Sequence, residues 1–177
     1  MDSSELARRA CLVKILLLDV DGVMTDGKII LSDSGSETKQ FNVQDGMGVT
    51  LARAAGLKVG IITGRSSKVV NQRAAELKLD TVIQGSAHKS EALEKVLNDY
   101  GLESEEVAYI GDDVPDIPVL RKVGLPIAVA NACDEVKASS LYVTTRSGGY
   151  GAVREAIDWL LELRGQKESI YEGFSKF

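Results

Sequence analysis

Cysteine, histidine and proline are all scarce in this 177-residue chain, which holds two cysteines, one histidine and three prolines. Cys11 and Cys133 lie far apart and show no C-x-x-C or comparable metal-ligand spacing, so two free thiols in a reducing cytosol are expected rather than a disulfide framework. The single histidine, His88, suits an exposed residue at a helix start better than a ligand or a base. With so few prolines, and with no low-complexity tract or internal repeat, no linker divides the chain, and one domain over residues 1–177 is expected. Basic charge is also short: 21 lysines and arginines stand against 26 aspartates and glutamates, a net charge of -5. That balance provides no basic field for nucleic acid, so an anionic ligand must be met by local cations or a metal. No apolar run approaches the ~20 residues of a membrane span, and Asp2 and Glu5 precede Arg8 and Arg9 with no apolar stretch behind them. A cytoplasmic protein with neither a membrane nor a nucleic-acid partner is expected.

What the chain does have is rhythm. Short apolar, β-rich runs at 13–18, 59–62, 81–83, 107–110 and 127–129 alternate with helical patterns at 47–55, 67–78, 90–100 and 116–123, and a last helix is expected over 152–163. Gly56, Gly101 and Gly124 stand just past three of these helices, where a C-cap is wanted. Such alternation predicts an α/β fold: a three-layer, Rossmann-like, mostly parallel sheet with helices on both faces. One segment interrupts it. Residues 28–31 and 37–41 are strand-like around Ser32-Asp33-Ser34-Gly35-Ser36, which reads as a β-hairpin inserted after the first strand, over about 28–41.

Polar residues gather where the strands end. Leu16-Leu17-Leu18-Asp19-Val20-Asp21-Gly22 closes a buried strand with two acids two residues apart, which an extended backbone would hold on one side, roughly 6 to 7 Å apart. Their repulsion is relieved by a hard cation between them or by a proton on one; two turn-forming aspartates beside Gly22 are the plainer alternative. Thr63-Gly64-Arg65-Ser66 ends another strand with a hydroxyl, a glycine and a cation before a helix whose N-terminus suits phosphate, although Thr63 and Ser66 also suit a strand end and an N-cap. Lys89 opens a helix, where the dipole does not favour a cation; a buried anion would account for it, and so would a solvated side chain. Finally, Gly111-Asp112-Asp113 with Asp116 supplies the oxygen ligands that magnesium prefers, with capping by Asp113 and first-turn placement of Asp116 as the competing explanation. Four such clusters at four strand ends favour one shared site.

In that order, the clusters resemble the motifs of the haloacid dehalogenase superfamily of phosphatases, and the resemblance spans nearly the whole chain. It implies Mg2+ as cofactor, Asp19 as nucleophile and Asp21 as general acid/base, with Thr63 and Lys89 holding the phosphoryl oxygens as part of the catalytic set. It also implies a metal set of Asp19, Asp21 and Asp112, supported by Asp113 and Asp116. No long insert follows Gly22 or Gly64, so the chain resembles the capless type. Thr25-Asp26-Gly27, the stretch from Phe41 to Gly46, Thr63 to Ser66, Gln84-Gly85 and Gly148 to Glu155 are similar to capless members that dephosphorylate an eight-carbon keto-sugar acid in lipopolysaccharide precursor synthesis.

That narrower resemblance implies a small anionic sugar phosphate as partner, bound by Thr63, Gly64, Arg65 and Lys89, with Arg65 placed for the carboxylate. It implies a homotetramer with the hairpin, and the tail over 165–177, at subunit contacts. Gln44 departs from the family's usual arginine, and the tail carries no matching motif. A nine-carbon keto-sugar acid phosphate is the alternative substrate. A phospho-accepting receiver domain is the alternative of another class; it would want an aspartate after the third strand, where Gln84-Gly85 stands.

Overall fold

The computed structural model describes residues 2–175. Its centre is a six-stranded, wholly parallel sheet of β1 (Ile15–Leu18), β4 (Lys58–Ile62), β5 (Thr81–Ile83), β6 (Val107–Gly111), β7 (Leu125–Ala128) and β8 (Tyr142–Val143) in the order β5-β4-β1-β6-β7-β8. All residues of β1, β6 and β7 are buried, as strands covered on both faces must be. β2 (Ile30–Leu31) and β3 (Glu37–Thr38) pair antiparallel as a separate two-stranded sheet, the expected hairpin, and its Ser32–Ser36 loop closes by Ser32 N–H donating to Ser36 O at 3.0 Å.

The helices are α1 (Ser3–Leu12), α2 (Val43–Ala54), α3 (Lys68–Glu76), α4 (Lys89–Tyr100), α5 (Ile117–Leu120), α6 (Asp134–Ala138), α7 (Ala152–Leu163) and α8 (Lys167–Ser175). α1 and α2 pack on α7, while α5 packs on both α4 and α6. Right-handed crossovers place these two groups on opposite faces.

Several expected boundaries move. The helix expected over 116–123 is a 3-10 turn at Val114–Asp116 followed by the single turn of α5, because Pro115 and Pro118 each remove a backbone donor. Gly101 does end α4 in the left-handed region, φ 60°, whereas Gly124 is needed for room: a Cβ there would run into the backbone of Glu105. The segments at 3–12, 134–138 and 142–143 were not expected as elements, and the tail forms α8. Lys176 and Phe177, the end of the expected tail region, lie outside the described residues. Cys11 and Cys133 are free thiols, and among the described residues no helix is long and apolar enough to cross a membrane.

Candidate active site

β1 lies between β4 and β6, and the connection after β1 leads to β4 on one side while that after β6 leads to β7 on the other, which opens a crevice at the carboxyl ends of these two strands. Register sets the depth of each residue in it. Leu18 is level with Ile61 and Ile110, and Asp19 N–H donates to Ile110 O at 3.0 Å. Asp19 therefore emerges beside Gly111, with Thr63 and Asp112 one residue further out on the two neighbouring strands.

Lys89, first residue of α4, brings its ammonium into this crevice, 2.8 Å from Asp19 Oδ1 and 2.6 Å from Asp116 Oδ1, with only 5% of its side chain exposed. The buried-anion reading of this lysine, and not the solvated one, describes the fold. Asp116 is saturated by protein donors: the Tyr109 hydroxyl at 2.6 Å joins Lys89 on Oδ1, and the backbone N–H groups of Asp112 and Asp113 reach Oδ2 at 3.0 and 3.3 Å. Asp116 thus pins the β6 loop to Lys89. Asp113 is exposed and caps the next turn through Val114 N–H at 2.8 Å.

Asp19, Asp112 and Asp116 each offer a carboxylate oxygen within 4.8 Å of the others. Asp112 Oδ1 is buried without a hydrogen-bond partner, and the backbone of Gly22 lies so close that a Cβ there would fall into the Asp112 carboxylate. An orphaned carboxylate oxygen beside a second carboxylate, packed round by backbone, fits a hard divalent cation. Since Asp116 is fully engaged, Asp19 and Asp112 are the residues free to hold one.

Asp21 turns its side chain away from the cluster of Asp19, Asp112 and Asp116. Its carboxylate faces Lys39, with which it makes a very close ion pair, and Arg65, whose Nε is 3.6 Å away. The physical reason is that strand geometry stops at Leu18. The chain then turns, with the N–H groups of Val23, Met24 and Thr25 all donating to Val20 O, so the two-residue alternation no longer aligns Asp21 with Asp19. Thr63 is buried at the end of β4, where its N–H donates to Ile83 O at 2.9 Å, while Gly64 and Arg65 are exposed at the mouth. Arg65 Nη2 is held by Glu37 Oε1 at 2.8 Å.

The glycine-rich segment packs on the chain's own turn after β1. A Cβ at Gly148 would collide with Gly22 O, and Asn131 bridges the two by donating to Gly22 O at 3.3 Å and accepting from Gly148 N–H at 2.7 Å. Gln44 accepts from Arg146 Nη1 at 3.0 Å. His88 is exposed at the N-cap of α4. Lys39, Glu37, Tyr109 and Asn131 escaped sequence reasoning, although Glu37 and Lys39, two apart on a strand, carried the alternation signal for one shared face.

Crowded acids leave a trace in their proton affinity. Burial chiefly, then the charges of Asp19 and Asp116, pushes the Asp112 carboxyl up to about 8 in spite of Lys89. Burial likewise raises Asp19, against the pull of Lys89. A carboxyl raised in the fold contributes stability below its unfolded value that is lost as pH climbs through the folded value. The metal-free protein should therefore lose melting temperature between about pH 5 and pH 8, by roughly 3 °C per unit for each proton involved. Saturating Mg2+ should flatten that slope, since the cation takes the proton's place. Thermal melts across this range, with and without Mg2+, check the sign; a metal-free melting temperature that climbs instead contradicts it.

Comparison with known proteins accords with this geometry. Residues 81–157 match the model of the haloacid dehalogenase-like hydrolases. The chain is 43% identical over 164 residues to the 3-deoxy-D-manno-octulosonate 8-phosphate phosphatase of Escherichia coli strain K12, covering 93% of this chain and 87% of that protein. Its fold is similar to the crystal structure of the corresponding phosphatase of Moraxella catarrhalis in complex with magnesium, phosphate and KDO, with TM-score 0.93, 41% identity, and 97% and 98% of the two chains covered. A cobalt-bound enzyme from Haemophilus influenzae is similar as well, with TM-score 0.90 and 34% identity over 95% and 99% of the chains.

Proposed function

Because the chain belongs to the 3-deoxy-D-manno-octulosonate 8-phosphate phosphatase family of haloacid dehalogenase-like hydrolases, we propose that it hydrolyses 3-deoxy-D-manno-octulosonate 8-phosphate to the free sugar acid and phosphate. The observation that carries this reading is the convergence of Asp19, Asp112 and buried Lys89 on one strand-end crevice, in a chain 43% identical to phosphatases of that substrate.

Lys89 neutralises the negative charge that the phosphoryl group brings, and Thr63 with the N–H groups of the Gly64-Arg65 turn receives its oxygens. Asp19 attacks phosphorus through one carboxylate oxygen. The bond from phosphorus to the sugar oxygen breaks as Asp21, ion-paired with Lys39 in the resting site and protonated from solvent in the substrate complex, passes its proton to that oxygen, freeing the alcohol. Asp21, now a carboxylate, takes a proton from water as the water oxygen attacks the aspartyl-phosphate. The phosphorus–Asp19 bond breaks, phosphate leaves, and both acids return to their starting forms. Asp19 and Asp112 would hold Mg2+, which when bound withdraws charge from the phosphoryl oxygens and offsets the repulsion between attacking carboxylate and phosphate.

Arg65, half-exposed at the mouth, is the cation for the substrate's carboxylate. The chain acts as one capless domain in the cytoplasm, in lipopolysaccharide precursor synthesis. It assembles as a homotetramer through the exposed Ile29, Ile30 and Leu31 of the hairpin, with the tail helix α8 at a neighbouring contact.

Phosphate release from a panel of sugar phosphates, with Mg2+ and with chelator, tests the assignment. Turnover should require the metal, and kcat/KM should be highest on the eight-carbon acid; preference for the nine-carbon acid 9-phosphate, or metal-independent turnover, would overturn it.

A further inference from the structure

Lys39 is a buried cation that takes no part in the chemistry above. It follows β3 in the hairpin, whose residues are largely exposed, and yet only 1% of its side chain is exposed. Its ammonium lies against Asp21 Oδ1 and is 3.5 Å from Glu37 Oε1. Arg65 completes a ring, with Nη2 at 2.8 Å from Glu37 and Nε at 3.6 Å from Asp21. Two cations and two carboxylates alternate, so the group is neutral, but its members are unequal. Arg65 is 44% exposed, so water screens its hold on Asp21, whereas the Lys39 pair is shielded.

The turn from Val20 to Thr25 fixes the backbone of Asp21 and leaves the side chain's direction to its partners. Among the described residues those charged partners are Lys39 and Arg65 alone. Buried as it is, the ammonium has no surface to offer a substrate, so it acts through the carboxylate that it touches.

We propose that Lys39 is a positioning residue for Asp21: its buried ammonium sets the direction of the Asp21 carboxylate and ties proton transfer at the leaving oxygen to docking of the hairpin. The proposal rests on the reading of Asp21 as the proton carrier. A positioned acid/base contributes about 10²- to 10⁴-fold, and misplacing it by about an ångström can forfeit about 100-fold. The loss falls on kcat, because substrate binding uses other groups.

The test is a double-mutant cycle on the full chain with saturating Mg2+, assayed by phosphate release from 3-deoxy-D-manno-octulosonate 8-phosphate. Lys39→Met should lower kcat by about 100-fold with KM within about twofold, and Lys39→Arg, which keeps the charge, by about tenfold. In an Asp21→Asn background either change should cost less than about threefold, since the group through which Lys39 works is already gone. A merely structural lysine would reduce turnover by the same factor in both backgrounds, and that result, or an effect confined to KM, would overturn the proposal. Where Lys39→Met does not fold, the cycle with Lys39→Arg decides by the same criterion. Asp21→Asn turning over at the wild-type rate would instead overturn the assignment of Asp21, so the two failures are distinguishable.

Discussion

Asp19→Asn should abolish turnover, by on the order of 10⁴-fold or more, while the protein stays folded. The amide keeps the shape of the carboxylate, so β1 and its register with β4 and β6 are undisturbed, but an amide oxygen neither attacks phosphorus at a useful rate nor carries the charge that a divalent cation requires. Folding should survive because the substitution removes one of three crowded acids, while Lys89 keeps its 2.6 Å contact with Asp116. Single-turnover mixing with substrate and Mg2+ measures the loss directly. Unchanged phosphate release would remove Asp19 from the mechanism.

Lys89→Met should have the largest effect on stability of any single change in the site. The substitution keeps an unbranched chain of similar reach but leaves Asp19 and Asp116 without their ammonium, in a place where water cannot replace it. Removing one partner of a buried charge pair costs about 3–5 kcal/mol. Turnover should fall by about 10³-fold as well, since a donor to the phosphoryl oxygens is lost. Urea unfolding in the presence of chelator reads the first effect and phosphate release the second. A midpoint equal to that of the unsubstituted protein would show that Lys89 does not hold these acids together.

The parts of the site visible in the sequence were those announced by a strand's own local pattern. Asp19, Thr63 and Asp112 each follow an apolar run, and a parallel sheet brings the ends of such runs to one edge. Lys89 could be singled out because a cation at a helix start opposes the dipole. Local pattern could not give the direction of Asp21, since alternation lapses at Leu18, where a turn centred on Val20 takes over. Nor could it give Lys39, whose importance depends on the hairpin folding back over the crevice, or the full occupation of Asp116 by Tyr109, Lys89 and two backbone N–H groups. The five longer strands and most of the long helices were legible from periodicity. The two-residue strand β8, the five-residue α6 and the polar helices α1 and α8 were not, because tertiary packing, and not an apolar rhythm, decides such segments.

The place of β1 between its neighbours also governs when the enzyme comes into being. Ile15 pairs with Lys58 on one side and with Val107 on the other. The two acids free to bind metal, Asp19 and Asp112, therefore meet only after a loop of some ninety residues has closed, a contact of high sequence separation that forms late and slowly. A chain still emerging from the ribosome, or one cut anywhere before β6, holds Asp19 without Asp112. Metal binding by this pair, and the activity proposed from it, thus wait on the pairing of β1 with β6.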